Sequence, residues 1–349
     1  MRSLVVLESF PRPRPTTNPY VVMLARSIEE AGARVRYFSW PVALLGQYDV
    51  LHLHWPEALL AGRNPVKNLV RQLLYLVVLL RARLTRVPIV RTVHNLHLPS
   101  GISRRERLLL ELTERWTALR IRVNSSTELP AGSAFDTIVH GHYRDWFAEH
   151  TEPATVAGRL AFVGQIRNYK GLPKLIEAFG QTAGLPGADG LTLHVAGAPT
   201  SRDLADQLRV QAAPDPRIRL RLDFLTDAEL VREIGEAELV VLAYVEMHNS
   251  GGALAALSLG RPVLVPANEV NRRLAEEVGP GWVLCYDGLL RADHLLAALA
   301  ELHAQGERAT RELSAPDLSA RGWGRVGADH VAAFHRARNG VARADLLSN

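Results

Sequence analysis

The sequence predicts an α/β protein made of two Rossmann-like domains facing a cleft. Short runs rich in leucine and β-branched residues alternate with longer helical patterns along the whole chain. The alternation occurs twice, on either side of a polar break at 149–158, and 349 residues are many for a single core. Such alternation is typical of parallel sheets covered by helices on both faces, whose ligands bind beyond the carboxyl ends of the strands.

The first half of the chain is predicted to hold six strands and three helices. Its first helix has the clearest start, because Asn18 suits the N-cap and Pro19 suits the first helical position. The predicted strands are 3–7, 34–38, 49–54, 88–93, 121–124 and 136–140. The predicted helices are 18–31, 64–85 and 104–119.

The second half repeats the alternation with six further strands and six further helices. The predicted strands are 160–163, 191–196, 217–223, 239–243, 262–265 and 282–285. The predicted helices are 171–183, 200–213, 226–236, 250–259, 268–278 and 291–305. We therefore expect three parts: a Rossmann-like domain at 1–152, a second Rossmann-like domain at 153–325, and a C-terminal helix with a frayed tail at 326–349. That helix can cross back to the N-terminal domain.

The composition is that of a folded protein of a reducing compartment. Hydrophobic residues make up 47% of the chain, and Cys285 is its single cysteine, so the chain can form neither an internal disulfide nor a cysteine-based metal site. The first apolar run ends at Glu8, too early for a signal peptide. The longest apolar run, Leu73 to Leu80, is far shorter than the roughly 20 residues that cross a bilayer. We expect a cytoplasmic protein, peripheral on the inner face of the membrane.

Charge is unevenly distributed. Residues 1–157 carry 20 Lys and Arg against 13 Asp and Glu, whereas the remainder carries 21 against 23. The basic half should favour anionic partners. No helix-turn-helix, zinc-finger or RNA-recognition motif is visible, which argues against nucleic acid. Anionic lipid head groups or a pyrophosphate-linked substrate fit the charge at least as well.

The stretch from Ala161 to Phe179 combines features of a phosphate site. A short apolar strand ends at Gly164, a loop carries Arg167 and Lys170, and a helix begins after the lysine. The chain has only three lysines against thirty-eight arginines. A lysine at this point suggests that a compact charge is needed for phosphate. The alternative is that Lys170 merely begins a solvated helix.

A second phosphate-like turn follows a later strand. Asn249, Ser250, Gly251 and Gly252 open an alanine-rich helix, whose first N–H groups can face an anion that glycine lets approach closely. The alternative is an ordinary strand-to-helix turn in which glycine only eases packing. Together with the Lys170 segment, this turn suits a diphosphate, with the rest of a nucleotide nearby.

These motifs resemble those of nucleotide-sugar glycosyltransferases with the two-domain GT-B fold, specifically the bacterial group 1 enzymes that build polysaccharides and glycolipids. The resemblance covers most of the chain. Its carboxyl half carries the Gly164–Gly171 run, LHVAGAP at 193–199, the Asp223–Glu229 turn and SLGRPVLVP at 258–266. Its amino half carries DVLHLHWPE at 49–57, RTVHNLHLPSG at 91–101 and IVHGHYRDWF at 138–147.

The resemblance implies transfer of a hexose from a UDP- or GDP-linked sugar to a saccharide, lipid-linked or small-molecule acceptor. It also implies that the domain at 153–325 binds the donor and the domain at 1–152 binds the acceptor. No cofactor is implied beyond the donor. The residues implied for the diphosphate are Gly164, Gln165, Arg167, Lys170, Asn249, Ser250, Gly251 and Gly252. The residues implied for the nucleoside are Leu225, Glu246 and Glu269.

The chain departs from the family pattern at two places. Gln165 stands where an arginine is usual, and Arg167 can supply the missing guanidinium. Met247 and Ala255 stand where two glutamates eight residues apart are usual, although Glu246 can replace the first with a one-residue shift. The second departure argues against a retaining mechanism.

Without a retaining mechanism, the acceptor hydroxyl needs a general base. Glu57 and His94 are the candidates, because both follow predicted strands. His52, His54 and His94 also invite a zinc interpretation, but their spacing matches no recognised zinc motif. No Asp-x-Asp triplet occurs, so we expect a metal-independent reaction.

The segment from Asn64 to Arg91 is basic around an apolar run and predicts docking on an anionic membrane, with a solvated cover helix as the alternative. Two other functions remain open: a GT-B sugar-nucleotide 2-epimerase and a non-catalytic sugar-nucleotide-binding protein. A dehydrogenase is disfavoured, because no Gly-x-Gly-x-x-Gly follows the first strand.

Overall fold

The structure is a computed structural model that describes residues 3–62, 64–95, 98, 101–245, 247–308 and 315–346, with the backbone alone at 305–308 and 341–346. The chain divides into two compact units. Unit 1 comprises Met1–Gly141 and Ala320–Asn349, and unit 2 comprises His142–Ser319.

Unit 1 contains a six-stranded parallel sheet. Its strands are β1 (Val5–Glu8), β2 (Arg34–Tyr37), β3 (Val50–Leu53), β4 (Ile89–Val93), β5 (Thr117–Arg122) and β6 (Phe135–Thr137). Their order in the sheet is β2-β1-β3-β4-β5-β6. The order reverses at β1 and β3, which pair directly, and the crevice beyond the carboxyl ends of such strands is the usual ligand site of an open sheet.

Five helices connect these strands. They are α1 (Pro19–Glu30), α2 (Trp40–Leu45), α3 (Pro56–Leu60), α4 (Pro65–Leu84) and α5 (Arg104–Trp116). Asn18 caps α1 as predicted, accepting a hydrogen bond from the N–H of Tyr20. The helix predicted at 104–119 is too long, because β5 begins at Thr117. Leu119 and Ile121 are both buried at a spacing of two, which is the alternation of a strand and not that of a helix face.

Unit 2 contains a second six-stranded parallel sheet. Its strands are β7 (Arg159–Val163), β8 (Thr192–Ala196), β9 (Ile218–Arg221), β10 (Leu239–Val241), β11 (Val263–Pro266) and β12 (Val283–Tyr286). The sheet order is β12-β11-β10-β7-β8-β9, with the reversal at β7 and β10. The helices are α6 (Arg144–Phe147), α7 (Leu172–Gly180), α8 (Arg202–Ala212), α9 (Asp227–Gly235), α10 (Gly251–Ser258), α11 (Glu269–Val278) and α12 (Ala292–Arg308).

The two ends of unit 2 differ from the expected boundaries of 152/153 and 325/326. Residues from His142 onward belong to unit 2, because the N–H of Tyr143 donates to Ser258 Oγ and Arg144 Nη2 donates to the carbonyl of Pro316. The chain re-enters unit 1 at Ala320. There α13 (Trp323–Leu346) packs on α1, and Gly327 lies so close to the carbonyl of Ser27 that a β-carbon would overlap it.

Candidate active site

The two phosphate-like segments of unit 2 follow adjacent strands. The first comes directly after β7 and the second comes after β10, which pairs with β7 in parallel. Both segments therefore lie at the carboxyl edge of the sheet, where its strand order reverses. Gly164 has a φ of 124°, which lets the backbone turn away from β7 in a conformation that favours glycine. The structure thus places the Lys170 segment and the Ser250 turn at the same edge of one sheet, as a shared ligand would require.

Direct contacts join the two segments. The N–H of Val245 donates to the carbonyl of Tyr169 at 3.0 Å. Gly171, with a φ of 65°, lies against the carbonyl of Ala243, where a β-carbon would overlap the oxygen. The Tyr244 hydroxyl is hydrogen-bonded to Ser250, at the start of α10. The position of Lys170 relative to α10 is therefore determined by packing and hydrogen bonds.

Lys170 is a half-buried cation set on aromatic rings. Its Nζ lies 5.6 Å from the ring centroid of Phe162 and 5.4 Å from that of Tyr244. In the part of the chain that the structure describes, no acceptor or carboxylate pairs with this Nζ. Burial, together with the nearby charge of Arg167, lowers the pKa of Lys170 to about 8. An anion bound beside Gly164 would offset both the cost of burying the Lys170 charge and its repulsion by Arg167.

Gln165 and Arg167 form a pair at the surface. Gln165 Oε1 accepts hydrogen bonds from Arg167 Nε at 3.0 Å and from Nη2 at 2.8 Å. Gln165 therefore fixes the orientation of the Arg167 guanidinium, on the loop that also carries Lys170. The pair offers one physical reason why glutamine can stand where the family usually has arginine.

The second segment presents a helix start of the expected kind. Ser250 caps α10 by accepting a hydrogen bond from the N–H of Ala253 at 3.2 Å, and Asn249, Gly251 and Gly252 are half-buried around it. The cap uses one of the early N–H groups of α10, and Gly251 and Gly252, as the first two residues of the helix, have N–H groups without an intrahelical acceptor.

The three residues expected at the nucleoside differ in their surroundings. Leu225 is half-buried in the loop before α9. Glu269 lies in the first turn of α11 and forms an ion pair of 2.5 Å with Arg273. Glu246 lies outside the described residues. Next to it, the carbonyl of Met247 accepts a hydrogen bond of 2.7 Å from Asn268 Nδ2, which ties α11 to this loop.

In unit 1, a carboxylate and three imidazoles lie where the strand order reverses. Glu8 ends β1 and is aligned with His52 of β3. Glu8 Oε1 lies 2.9 Å from His52 Nδ1, and Oε2 lies 3.1 Å from His54 Nε2. His54 Nδ1 lies 3.0 Å from His94 Nε2, in the segment after β4. Glu8, His52 and His54 are fully or almost fully buried, whereas His94 is half-buried.

Aromatic rings hold the half-buried histidine in place. Trp55 stacks on His94 with ring centroids 4.2 Å apart, and Tyr20 meets it edge-on at 5.5 Å. Burial is the main cause that lowers the pKa of His94 well below its ordinary value. The imidazole is therefore neutral at neutral pH, which is the form that can accept a proton.

The other predicted base, Glu57, is close to His94 in the fold. It lies in the first turn of α3, and its Oε1 accepts a hydrogen bond of 3.4 Å from Asn95 Nδ2. Both predicted bases thus lie at the same edge of the unit 1 sheet. His97, on the same segment, lies outside the described residues.

Glu8 is a site residue that was not predicted from the sequence. Burial by itself would raise the pKa of Glu8, but its electrostatic interactions and hydrogen bonds with the rings of His52 and His54 hold it at about 2. The available signal was a carboxylate that ends an otherwise apolar strand. Its partners are 44 and 46 residues away, so only the sheet order reveals them.

Glu8, His52 and His54 also place their ligand atoms within 4.8 Å of one another, close enough to hold a metal ion. Hydrogen bonds already account for these groups, because the second nitrogen of His52 lies 2.8 Å from Thr92 Oγ1 and that of His54 meets His94. The contacts therefore describe a hydrogen-bonded network.

Unit 1 also has an exposed apolar surface. Seven residues of α4 form a stripe along one side of this helix, at spacings of three, four and seven: Val66, Leu69, Val70, Leu73, Val77, Leu80 and Leu84.

Among the described residues, no helix is both long and apolar enough to cross a membrane. Two arginines of α4 are occupied within the unit, since Arg71 donates to carbonyls of α3 and Arg81 to those of Ala43 and Gly46.

No protein-family model matches the chain. Solved structures with the same overall fold include Anabaena Alr3699/HepE in complex with UDP, at 14% identity over the full length of both chains and a TM-score of 0.60. They also include the catalytic domain of Arabidopsis starch synthase IV bound to ADP and acarbose, at 10% identity, with 97% of this chain and 99% of that one covered and a TM-score of 0.62. Two parallel sheets with these neighbours make the chain a GT-B protein, as predicted.

Curated relatives define the family more narrowly. Two proteins named GDP-mannose:glycolipid 4-beta-D-mannosyltransferase, both from Xanthomonas campestris pv. campestris, are 42% and 41% identical to this chain. Each match covers 96% of this chain and 93% of the relative. The protein is therefore a glycosyltransferase that uses a nucleotide sugar. It belongs to the same family as these Xanthomonas enzymes, and the epimerase and non-catalytic alternatives are set aside.

Proposed function

We propose that this protein transfers mannose from GDP-mannose to the 4-hydroxyl of a glycolipid and forms a β-glycosidic bond. The observation that carries the proposal is the 42% identity, over nearly the whole chain, to an enzyme named for that reaction. GDP-mannose holds its mannose in the α configuration, so a β product requires inversion. Inversion agrees with Ala255 at a position where a retaining relative would have a glutamate.

On this proposal, unit 2 binds the donor. Lys170 and Arg167 supply positive charge to the diphosphate, and the N–H groups at the start of α10 supply hydrogen bonds. Negative charge grows on the leaving GDP as the bond to mannose breaks, so fixed cations and N–H groups lower the barrier. These groups can stabilise the leaving GDP without a metal ion. We therefore expect equal rates of mannose transfer in Mg²⁺ and in EDTA.

Unit 1 supplies the acceptor side of the reaction. We propose His94 as the general base that takes the proton of the 4-hydroxyl, and Glu57 as the carboxylate that helps to orient the acceptor sugar. The neutral state of His94 and its place at the carboxyl edge of the sheet support this assignment.

The donor can be tested by thermal unfolding with GDP, GDP-mannose, UDP and UDP-glucose. At about 100 times its dissociation constant, the true donor should stabilise unit 2 by roughly 2.7 kcal/mol, which raises the Tm of a domain of this size by roughly 5–10 °C. We expect this shift from GDP and GDP-mannose and a smaller one from the uridine nucleotides. A larger shift from UDP-glucose would contradict the choice of guanosine.

The reaction itself can be tested with GDP-mannose and synthetic glycolipids whose terminal sugar carries either a free or a blocked 4-hydroxyl. We expect transfer only to the free 4-hydroxyl, and proton NMR of the product should show a β-linked mannose. An α-linked product would contradict inversion, and equal transfer to the blocked lipid would contradict the acceptor position.

We also propose that α4 lies on an anionic membrane surface. Its apolar stripe faces away from the core of unit 1, and exposed cations accompany it on α4, just after α4, and on α5: Lys67, Arg83, Arg86, Arg104, Arg105 and Arg107. An apolar stripe next to cations is the pattern of a helix that lies in the membrane interface. A glycolipid acceptor would be present in that same surface.

The membrane proposal predicts binding to phosphatidylglycerol vesicles and weak binding to neutral ones. Changing Leu73, Val77 and Leu80 to Gln should reduce vesicle affinity at least about tenfold, because each side chain contributes roughly 1 kcal/mol of apolar burial. Val210→Gln, at an even more exposed apolar position on α8, is the control and should leave vesicle affinity unchanged. Co-sedimentation measures the vesicle affinity of each variant. An equal loss of affinity in the α4 variant and in Val210→Gln would contradict the docking role of α4.

A further inference from the structure

The network around Glu8 has two branches that end differently. One runs from the carboxylate to His52 and stops at the hydroxyl of Thr92, with every member buried. The other runs from the same carboxylate through His54 to His94, which is half-buried. Only the second branch connects the buried charge of Glu8 to a group that a substrate can reach.

The protonation states follow from what each group can donate or accept. Glu8 is ionised, since its pKa is about 2, so it only accepts, and His54 Nε2 must carry hydrogen. Burial is the main cause that lowers the pKa of His54 to about 4, so this ring is neutral and its Nδ1 has a lone pair. The hydrogen bond at 3.0 Å is then donated by His94 Nε2–H. His94 is thereby held in the tautomer whose Nδ1 is basic.

We infer that Glu8 and His54 are positioning residues for His94, forming with it a three-member relay that orients the base and carries its proton toward a buried carboxylate. This inference rests on the proposed function, in which His94 is the base. Glu8 has no arginine or lysine partner among the described residues, so its negative charge remains available to the imidazoles. In such an arrangement the carboxylate stabilises the imidazolium that forms during the reaction.

The proton balance is simple. The acceptor oxygen attacks C1 of mannose, and the bond from C1 to the phosphate oxygen breaks, with its electron pair leaving on GDP. The hydroxyl proton passes to His94 Nδ1. As His94 becomes cationic, its Nε2 proton can shift to His54 Nδ1, and the positive charge then lies next to Glu8. No oxidant, reductant or metal is needed.

The first test replaces Glu8 by Gln, which keeps the shape and removes the charge. We expect kcat to fall about 100-fold, while the KM for GDP-mannose and the affinity for GDP stay within about twofold, because the donor binds unit 2. A nearby anion stabilises an imidazolium and raises its pKa, so removing the anion should move the acid limb of kcat/KM to lower pH. A purely structural role would lower activity without moving that limb.

Two further variants keep the test decisive. His54→Gln interrupts the relay while keeping Glu8, so it should reproduce the loss in kcat even where the Glu8 variant fails to fold. Thr92→Val is the matched control, because it removes the end of the other branch. It should leave kcat within about threefold and the acid limb unmoved. Circular dichroism and thermal unfolding establish that each variant is folded.

Other charged or titratable groups face the relay and remain in every variant. They are Tyr20, His52, Arg91, His140, Arg321 and His330. Because His52 is hydrogen-bonded to Glu8, only His54→Gln, which leaves that pair in place, tests the pH profile of the relay alone.

The outcomes separate the relay from the function it rests on. If His94→Ala retains the rate of the unaltered protein, the base assignment is wrong and the relay falls with it. If His94→Ala abolishes transfer but both Glu8→Gln and His54→Gln retain kcat and the same pH profile, the relay alone is wrong. A stoichiometric metal ion that is lost from the Glu8→Gln protein would also overturn the relay, since His54 Nε2 would then hold metal instead of hydrogen.

Discussion

Replacing Lys170 by Ala should lower kcat for mannosyl transfer by roughly 100- to 1,000-fold, the usual effect of removing one fixed donor from a developing negative charge. The affinity for GDP should fall as well, because a half-buried cation beside Gly164 has no other anion to pair with in the described structure. Initial rates with GDP-mannose and calorimetric titration with GDP measure the two effects.

The chain offers a matched control in Lys174, four residues further on. Lys174 lies on the exposed face of α7 and pairs with Glu177 at 2.9 Å, so Lys174→Ala should leave both quantities within about twofold. With a pKa of about 8, Lys170 loses its charge as the pH rises through that value, so GDP should bind more weakly above pH 8. This pH dependence should vanish in Lys170→Ala. Equal behaviour of the two lysine variants would disprove the phosphate role.

Replacing Gly171 by Ala should destabilise unit 2 by roughly 3–5 kcal/mol and abolish donor binding. The residue has a φ of 65°, where a side chain costs roughly 1–2 kcal/mol. In addition, a β-carbon would overlap the carbonyl oxygen of Ala243, which belongs to the backbone and cannot rotate away. Urea unfolding followed by circular dichroism measures the free energy of unfolding.

Gly180 is the control for that change. It ends α7, has no atom within 4 Å of an added β-carbon, and does not have a positive φ. Gly180→Ala should therefore raise the free energy of unfolding by roughly 0.5–1 kcal/mol. If the two alanine variants prove equally stable, the close approach at Gly171 is not what holds the Lys170 loop against β10.

The predicted strands overlap all twelve strands of the described structure, although β5 begins inside a predicted helix. The clearest were β1, β7, β10 and β11, because a buried parallel strand is apolar along most of its length. Lys170 and the turn at Ser250 were predicted to share a ligand, and their strands are indeed neighbours in the sheet. Local sequence patterns do not determine the order of strands in a sheet, so the hydrogen bond between Glu8 and His54 could not be predicted. The short helices α2, α3 and α6 were missed because four to six residues carry too little periodicity.

The return of the chain to unit 1 at Ala320 has a consequence for biosynthesis. Domains usually fold in the order in which the ribosome makes them. Here unit 2 is complete once residue 319 has been made, whereas unit 1 still lacks α13, which covers α1 and places His330 beside His52. Unit 1, whose synthesis begins first, is therefore the unit whose synthesis is completed last. A chain interrupted before Ala320 would carry the candidate donor site but would leave the histidine network without its covering helix.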